Sequence, residues 1–293
     1  MGPRLVTLGL ALSLSVVIAL LITQINGPNG PAAAVNASPA QWELPGYLRE
    51  ASGLAILDAN HLLVHNDEKG ILYRISLDHK SIEKWATIGV PPVDRDFEGI
   101  AVDLNGPNHS GDNRAMTAYL LTSTGELLVV SDMASDTLGQ QLSAVTIDTG
   151  LKAICEIEGL HLHRGQLLAP CKKPLTNEHK NRLVVFSIDP KTGEQKTHLS
   201  LPKERLEQAG RLRPTAIATL EDRYYIVSTN RLIVYHEGDD AIEIFKLPKK
   251  THFQPEGIAA MPDGSLYIVD DNRRGISRLT FYHDLSELER LSN

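Results

Sequence analysis

The sequence predicts an all-β chain folded as a β-propeller of five four-stranded blades, preceded by one N-terminal transmembrane helix. Three observations predict this. A short phrase with a small third residue recurs five times, β-type runs broken by turn formers fill the intervals, and helical periodicity is confined to the first apolar run and to Lys203–Ala209.

The 293 residues suffice for one large domain or two small ones. Hydrophobic residues make up 42% and charged residues 22%, which is globular composition. The net charge of −7 argues against nucleic acid as the main ligand, since phosphate binding needs a basic face. Two cysteines exclude a disulfide-dense scaffold and a zinc ribbon.

The first element, residues 1–25, reads as a signal anchor or a signal peptide. Leu5 to Ile22 is uncharged, Arg4 precedes it, and the first acidic residue is Glu43. Its length sits between a secretory apolar core and a full membrane span. The positive-inside bias leaves everything after it exported, so the expected location is the plasma (inner) membrane with the body on the periplasmic side, or secretion after cleavage. Residues 26–41 are rich in Gly, Pro, Ala and Asn and read as a flexible linker. Residues 42–293 are the propeller. In an oxidising compartment Cys155 and Cys171 could pair, or both could be buried thiols.

Within that body, residues 61–66, 71–77, 118–123, 126–131, 182–188, 224–229, 231–236 and 265–270 are rich in Val, Ile, Leu and Tyr. The phrase copies are centred on Gly53, Gly99, Gly159, Ala216 and Gly257, at steps of 46, 60, 57 and 41 residues. About four strands per unit at that period is a propeller pattern. A small third residue suits a crowded innermost strand. Uneven steps leave room for a sixth blade, with Asn105–Arg114 and Pro174–Asn181 as insertions. Trp42–Leu48 either adds a strand that closes the ring or begins the first blade.

The phrases DFEGIA (96–101), PEGIA (255–259) with MPDGSLYIVDD (261–271), EASGLA (50–55) with NDEKGILYRI (66–75), and IEGL (157–160) resemble the SdiA-regulated, YjiK-type propellers of bacteria over residues 45–283. The resemblance implies an anchored or periplasmic propeller with calcium in its channel and no defined reaction. Thr215-Ala216 departs from the Glu-Gly of other copies.

Aligned, the second position of the phrase reads Ser52, Glu98, Glu158, Thr215 and Glu256. Equivalent positions of successive blades face the central channel, so three carboxylates and two hydroxyls are expected to converge there. Crowded like charges need compensation by a cation or shared protons. Oxygen donors suit Ca²⁺ before Mg²⁺. Asn66, Ser123, Ser228 and Asp270 or Asp271 end the adjacent strands and are further candidate donors. The opposing expectation is that the glutamates bond to neighbouring backbone and hold the ring closed. His161 and His163 alternate onto one strand face and read as surface or inter-blade histidines. Lys172 and Lys173 read as a basic turn, or as a channel lysine for an anionic ligand.

Three functions follow. The first is an anchored propeller that binds calcium, and a small molecule or protein, at its channel. The second is a metal-dependent hydrolase of phytase-like or lactonase type. The third is an interaction scaffold without metal.

Overall fold

A computed structural model describes residues 39–104, 115–134, 138–272 and 275–291. The expected anchor, most of the linker, and Asn105–Arg114 lie outside these residues. Among the described residues, no helix is long and apolar enough to cross a membrane.

Five sheets, antiparallel but for one added strand, form five blades. Their innermost strands are Ala51–Ile56, Phe97–Asp103, the pair Cys155–Ile157 and His161–His163, Pro214–Leu220, and Pro255–Ala260. Blades 1 to 5 are named in that order. Val, Ile and Leu runs form the middle strands, such as His61–Asn66 and Arg182–Ile188. These are buried almost continuously rather than on alternate residues. The cause is stacking, because each blade has a neighbour on both faces and neither face meets water. Of the expected insertion Pro174–Asn181, Pro174 ends the strand Gln166–Pro174 of blade 3 and the rest is the loop to Arg182–Ile188; no sixth sheet is present among the described residues. Lys203–Ala209 is a 3₁₀ turn leading into blade 4.

The core is five clusters, one for each junction between neighbouring blades. Trp85 meets Phe97 between blades 1 and 2, and Leu121 shares a cluster with Phe186 between blades 2 and 3. Val185 with Ile226, Val227 with Ile268, and Val269 with Val64 complete the circuit. Burial at each junction stabilises by roughly 1.5–3 kcal/mol per large side chain.

At the axis the small third residues of the phrase touch in a ring. A Cβ on Gly99 would stand 2.5 Å from the carbonyl carbon of Gly159, and one on Gly159 would stand 2.8 Å from Cα of Ala216. A Cβ on Gly257 would stand 3.0 Å from the carbonyl carbon of Gly53. Backbone therefore packs on backbone around the channel.

Two terminal strands fasten the ring. Ala40–Glu43 pairs antiparallel with Arg278–Tyr282 as the outer strand of blade 5, so the closing strand begins inside the segment read as linker. Glu289–Arg290 pairs with Ala241–Lys246 and extends blade 4. Gln140–Leu142 crosses from blade 2 to lie parallel to Ser81–Ile88 of blade 1. Cys155 and Cys171 are disulfide-bonded, with Cα atoms 5.8 Å apart. Closing that short loop stabilises the fold by about 3 kcal/mol in the chain-entropy account.

Candidate functional site

Alternating strand direction places the starts of the innermost strands and the ends of the second strands at one end of the ring, here the upper end. The site is built there by a repeated backbone irregularity. In blade 2, Phe97 pairs with Thr122 and Gly99 with Leu121, leaving Glu98 as an extra residue. Thr215 and Glu256 are the extra residues of blades 4 and 5, and Ser52-Gly53 bulge against His65 in blade 1. In blade 3 the shift falls on the second strand, where Glu156 pairs with Lys173 and Ile157 with Cys171. Lys172 is the extra residue there. A bulge turns a side chain out of the strand's alternation, and here it supplies the column facing the channel.

Glu158 and Glu256 are buried and Glu98 is half-buried, so their carboxyls repel one another with little water between them. Ser52 Oγ donates to Glu98 Oε2 at 3.5 Å. Lys172 Nζ pairs with Glu158 Oε1, and Gln254 Nε2 donates to Glu256 Oε1 and, at 3.3 Å, to Asp271 Oδ2. Burial, then the charges of Glu256, Asp96 and Asp67, pushes the Glu98 carboxyl up to about 8, with Lys172 opposing. Burial lifts Glu256 to about 7 against the hydrogen bond from Gln254; Asp271 and Asp67 add repulsion and Lys172 again opposes it. Glu158 Oε2 is buried and accepts no hydrogen bond.

The other expected donors are engaged elsewhere. Thr215 Oγ1 donates to the Pro255 carbonyl at 2.6 Å, an inter-blade tie of the architectural kind. Asn66 Oδ1 accepts from Lys69 N at 3.2 Å within its own turn. Ser228 Oγ accepts from Arg213 N at 2.9 Å, and Ser123 Oγ donates to Asp96. Asp270 Oδ2 faces His252 Nδ1 at 2.8 Å, away from the column. Calcium takes six to eight oxygens around one point. Among the described residues, no three His, Cys, Asp or Glu side chains are disposed to hold a metal ion. Among the described residues these expected donors bond to different partners, and Lys172 supplies positive charge within the column. Lys172 thus belongs to the site, whereas Lys173 forms a surface pair with Glu156 at 2.6 Å.

An acidic cleft of about 540 Å³ opens at the same end between blades 1 and 2, lined by Glu50, Asp67, Glu68, Asp94, Arg95 and Asp96. Asp67 and Asp96 both act on Glu98, so cleft and column share one negative field. The lower end of the channel is different. A cavity of about 130 Å³ is lined there by Leu54, Ala55, Ile56, Ala101, Val102, His161, Leu162, Ile258 and Ala259. His161 Nε2 and His163 Nδ1 both meet Thr219 Oγ1 of blade 4, at 2.9 and 2.8 Å. They are inter-blade histidines, and burial holds His161 down at about 4.

The raised carboxyls give stability a defined pH sense. In the unfolded chain Glu98 titrates near 4.5, and in the folded chain near 8. The folded state therefore binds the proton more tightly, and the group's contribution is lost as pH rises through the folded value. Glu98→Gln mimics the protonated form at every pH. Its melting temperature is expected to match the wild type at pH 5 and to exceed it at pH 9. A constant difference across that range would contradict the assignment.

No protein-family model and no curated protein matches the chain. Three solved structures with partial likeness are the PQQ-bound aldose sugar dehydrogenase from Streptomyces coelicolor, a luciferin-regenerating enzyme and a streptogramin B lyase. The first is 14% identical at a TM-score of 0.47, covering 84% of this chain and 99% of that one. The second is 12% identical at 0.49, covering 83% and 95%. The third is 12% identical at 0.44, covering 84% and 98%.

Proposed function

We propose that this protein is an extracytoplasmic binding propeller, tethered through its N-terminal apolar run, that takes a cationic N–H donor at the upper end of its channel. One observation carries the reading: three glutamates at the axis share Lys172, and a buried oxygen of Glu158 accepts no hydrogen bond. A site rich in acceptors and short of donors is completed by an ammonium, amidinium or guanidinium. Charge-assisted N–H bonds to carboxylates are short and roughly twice as strong as neutral ones. Such a ligand meets each carboxylate individually and does not require six to eight oxygens to converge, which sets it apart from calcium. The acidic cleft raises its local concentration before it reaches the column. Export is supported by the apolar run at 5–22 and by the Cys155–Cys171 bond, since disulfides persist in oxidising compartments.

The test is a thermal-shift titration of the full chain in detergent with agmatine, spermidine and CaCl₂. Agmatine is expected to raise the melting temperature saturably, and more at pH 8 than at pH 6, because protonated carboxyls lose their attraction for a cation. A ligand at a hundred times its Kd stabilises by about 2.7 kcal/mol, which is several degrees and easily read. A saturable response to calcium alone would restore the metal reading, and no response to any cation would remove the proposal.

A further inference from the structure

The acidic cleft has a neighbour of different character. A second cleft of about 390 Å³ is lined by Gly46, Tyr47, Arg49, Glu50, Asn66, Glu68, Lys69, Ile71 and Tyr73. The two share Glu50 and Glu68 as a common wall. Tyr47 is 48% exposed and stacks on the buried Tyr73, with ring centroids 4.8 Å apart and planes at 20°. The loop that presents Tyr47 is held at several points. Leu48 is fully buried and its N–H donates to the Pro45 carbonyl at 2.8 Å. The Arg49 carbonyl accepts from Ser277 Oγ and, at 3.1 Å, from Asn272 N. The aromatic platform is therefore fixed before any ligand arrives. On the far side of the acidic cleft, Val90 is 76% exposed on the loop that also carries Asp94 and Asp96.

We propose that the occupant of this end is a basic peptide segment, whose Arg or Lys side chain enters the acidic cleft while an aromatic neighbour stacks on Tyr47. The proposal rests on the cation reading above and specifies its ligand. Charge complementarity selects the basic side chain. The second cleft selects against a simple polyamine, because Arg49 and Lys69 stand there and would repel a second ammonium group. A peptide presents carbonyl oxygens to those two cations, N–H groups to Glu50 and Glu68, and a ring to Tyr47. Offset aromatic stacking contributes about 0.5–1.5 kcal/mol beyond area burial, which converts to about 2- to 12-fold in affinity.

Calorimetry on the full chain in detergent tests this with two acetylated, amidated peptides, Arg-Gly-Trp and Arg-Gly-Gly, and with spermidine. Arg-Gly-Trp is expected to bind several-fold more tightly than Arg-Gly-Gly. Tyr47→Ala should abolish that difference without weakening Arg-Gly-Gly, and Tyr47→Phe should preserve it. Asp94→Asn with Glu68→Gln should weaken both peptides alike; these positions, like Tyr47, are exposed, so the fold is kept. Equal binding of the two peptides, or spermidine binding most tightly with no response to Tyr47→Ala, would overturn the peptide assignment while leaving cation binding intact. Failure of both peptides together with failure of agmatine would instead remove the earlier reading.

Discussion

Gly99→Ala should destabilise the fold strongly, whereas Gly46→Ala should be nearly silent. A methyl on Gly99 would stand 2.5 Å from both the carbonyl carbon of Gly159 and the nitrogen of Leu160, and 2.8 Å from Leu160 Cβ. Two of these atoms are backbone of the next blade and cannot rotate away. That backbone is itself fastened, since Gly159 N donates to the Glu98 carbonyl at 2.6 Å and the Cys155–Cys171 bond lies on the same blade. Relief requires the innermost strand of blade 3 to move outward, and Gly159 then loses its contact with Ala216 on the other side. Overpacking of a well-filled core costs about 1–3 kcal/mol, and rigid backbone on the other side puts this case at about 3 kcal/mol or more. A domain holds only about 5–15 kcal/mol in all. At Gly46 nothing stands within 4 Å of the added methyl. Urea midpoints of the two variants decide the matter, and equal midpoints would mean that the axis is softer than its packing indicates.

His252→Ala is expected to destabilise the protein by about 2–5 kcal/mol, because it takes a hydrogen-bond partner from two buried polar groups at about 1–3 kcal/mol each. His252 is 1% exposed, on the loop leading into blade 5. Its Nδ1 meets Asp270 Oδ2 at 2.8 Å and its Nε2 meets the Tyr282 hydroxyl at 2.6 Å. One ring thus ties a loop to the second and third strands of the last blade. Without it the buried phenol loses its partner and the Asp270 carboxyl keeps only the backbone N–H groups of Phe253 and Gln254, while burial already pushes that carboxyl upward. Tyr282→Phe removes one hydrogen bond and should cost about 1 kcal/mol. Chemical denaturation of the three proteins gives the comparison. A His252→Ala loss no larger than that of Tyr282→Phe would show that Asp270 finds another donor.

The ring of Gly53, Gly99, Gly159, Ala216 and Gly257 was legible in the sequence, because close backbone approach restricts residue type directly. The column at the phrase's second position was legible, but the backbone feature that turns it was not. Glu98 and Glu256 do face the channel, yet what puts them there is a bulge, and a one-residue register shift leaves no mark on composition. The same shift moved to the other strand makes Lys172 the extra residue of blade 3, where the sequence pattern favours a solvated basic turn. Asp270 and Asp271 are adjacent and equally acidic, but neighbouring strand residues point to opposite faces. Asp271 reaches the column through Gln254, and Asp270 turns to His252. His252 carries no motif, since its partners lie 18 and 30 residues away. The tie of Glu289–Arg290 to blade 4 was equally silent, because two charged residues carry no strand signature.

The closing strand also sets the order in which the ring can form during synthesis. Ala40 pairs with Phe281, so the first strand among the described residues waits for a partner about 240 residues further along. At roughly 5–20 residues per second, that interval is on the order of 10–50 s. Throughout it the edge of Ala40–Glu43 is unpaired and blade 5 has no outer strand. The ring therefore stays open until Arg278–Tyr282 has been made, and until then Ala40–Glu43 can equally pair with a neighbouring chain.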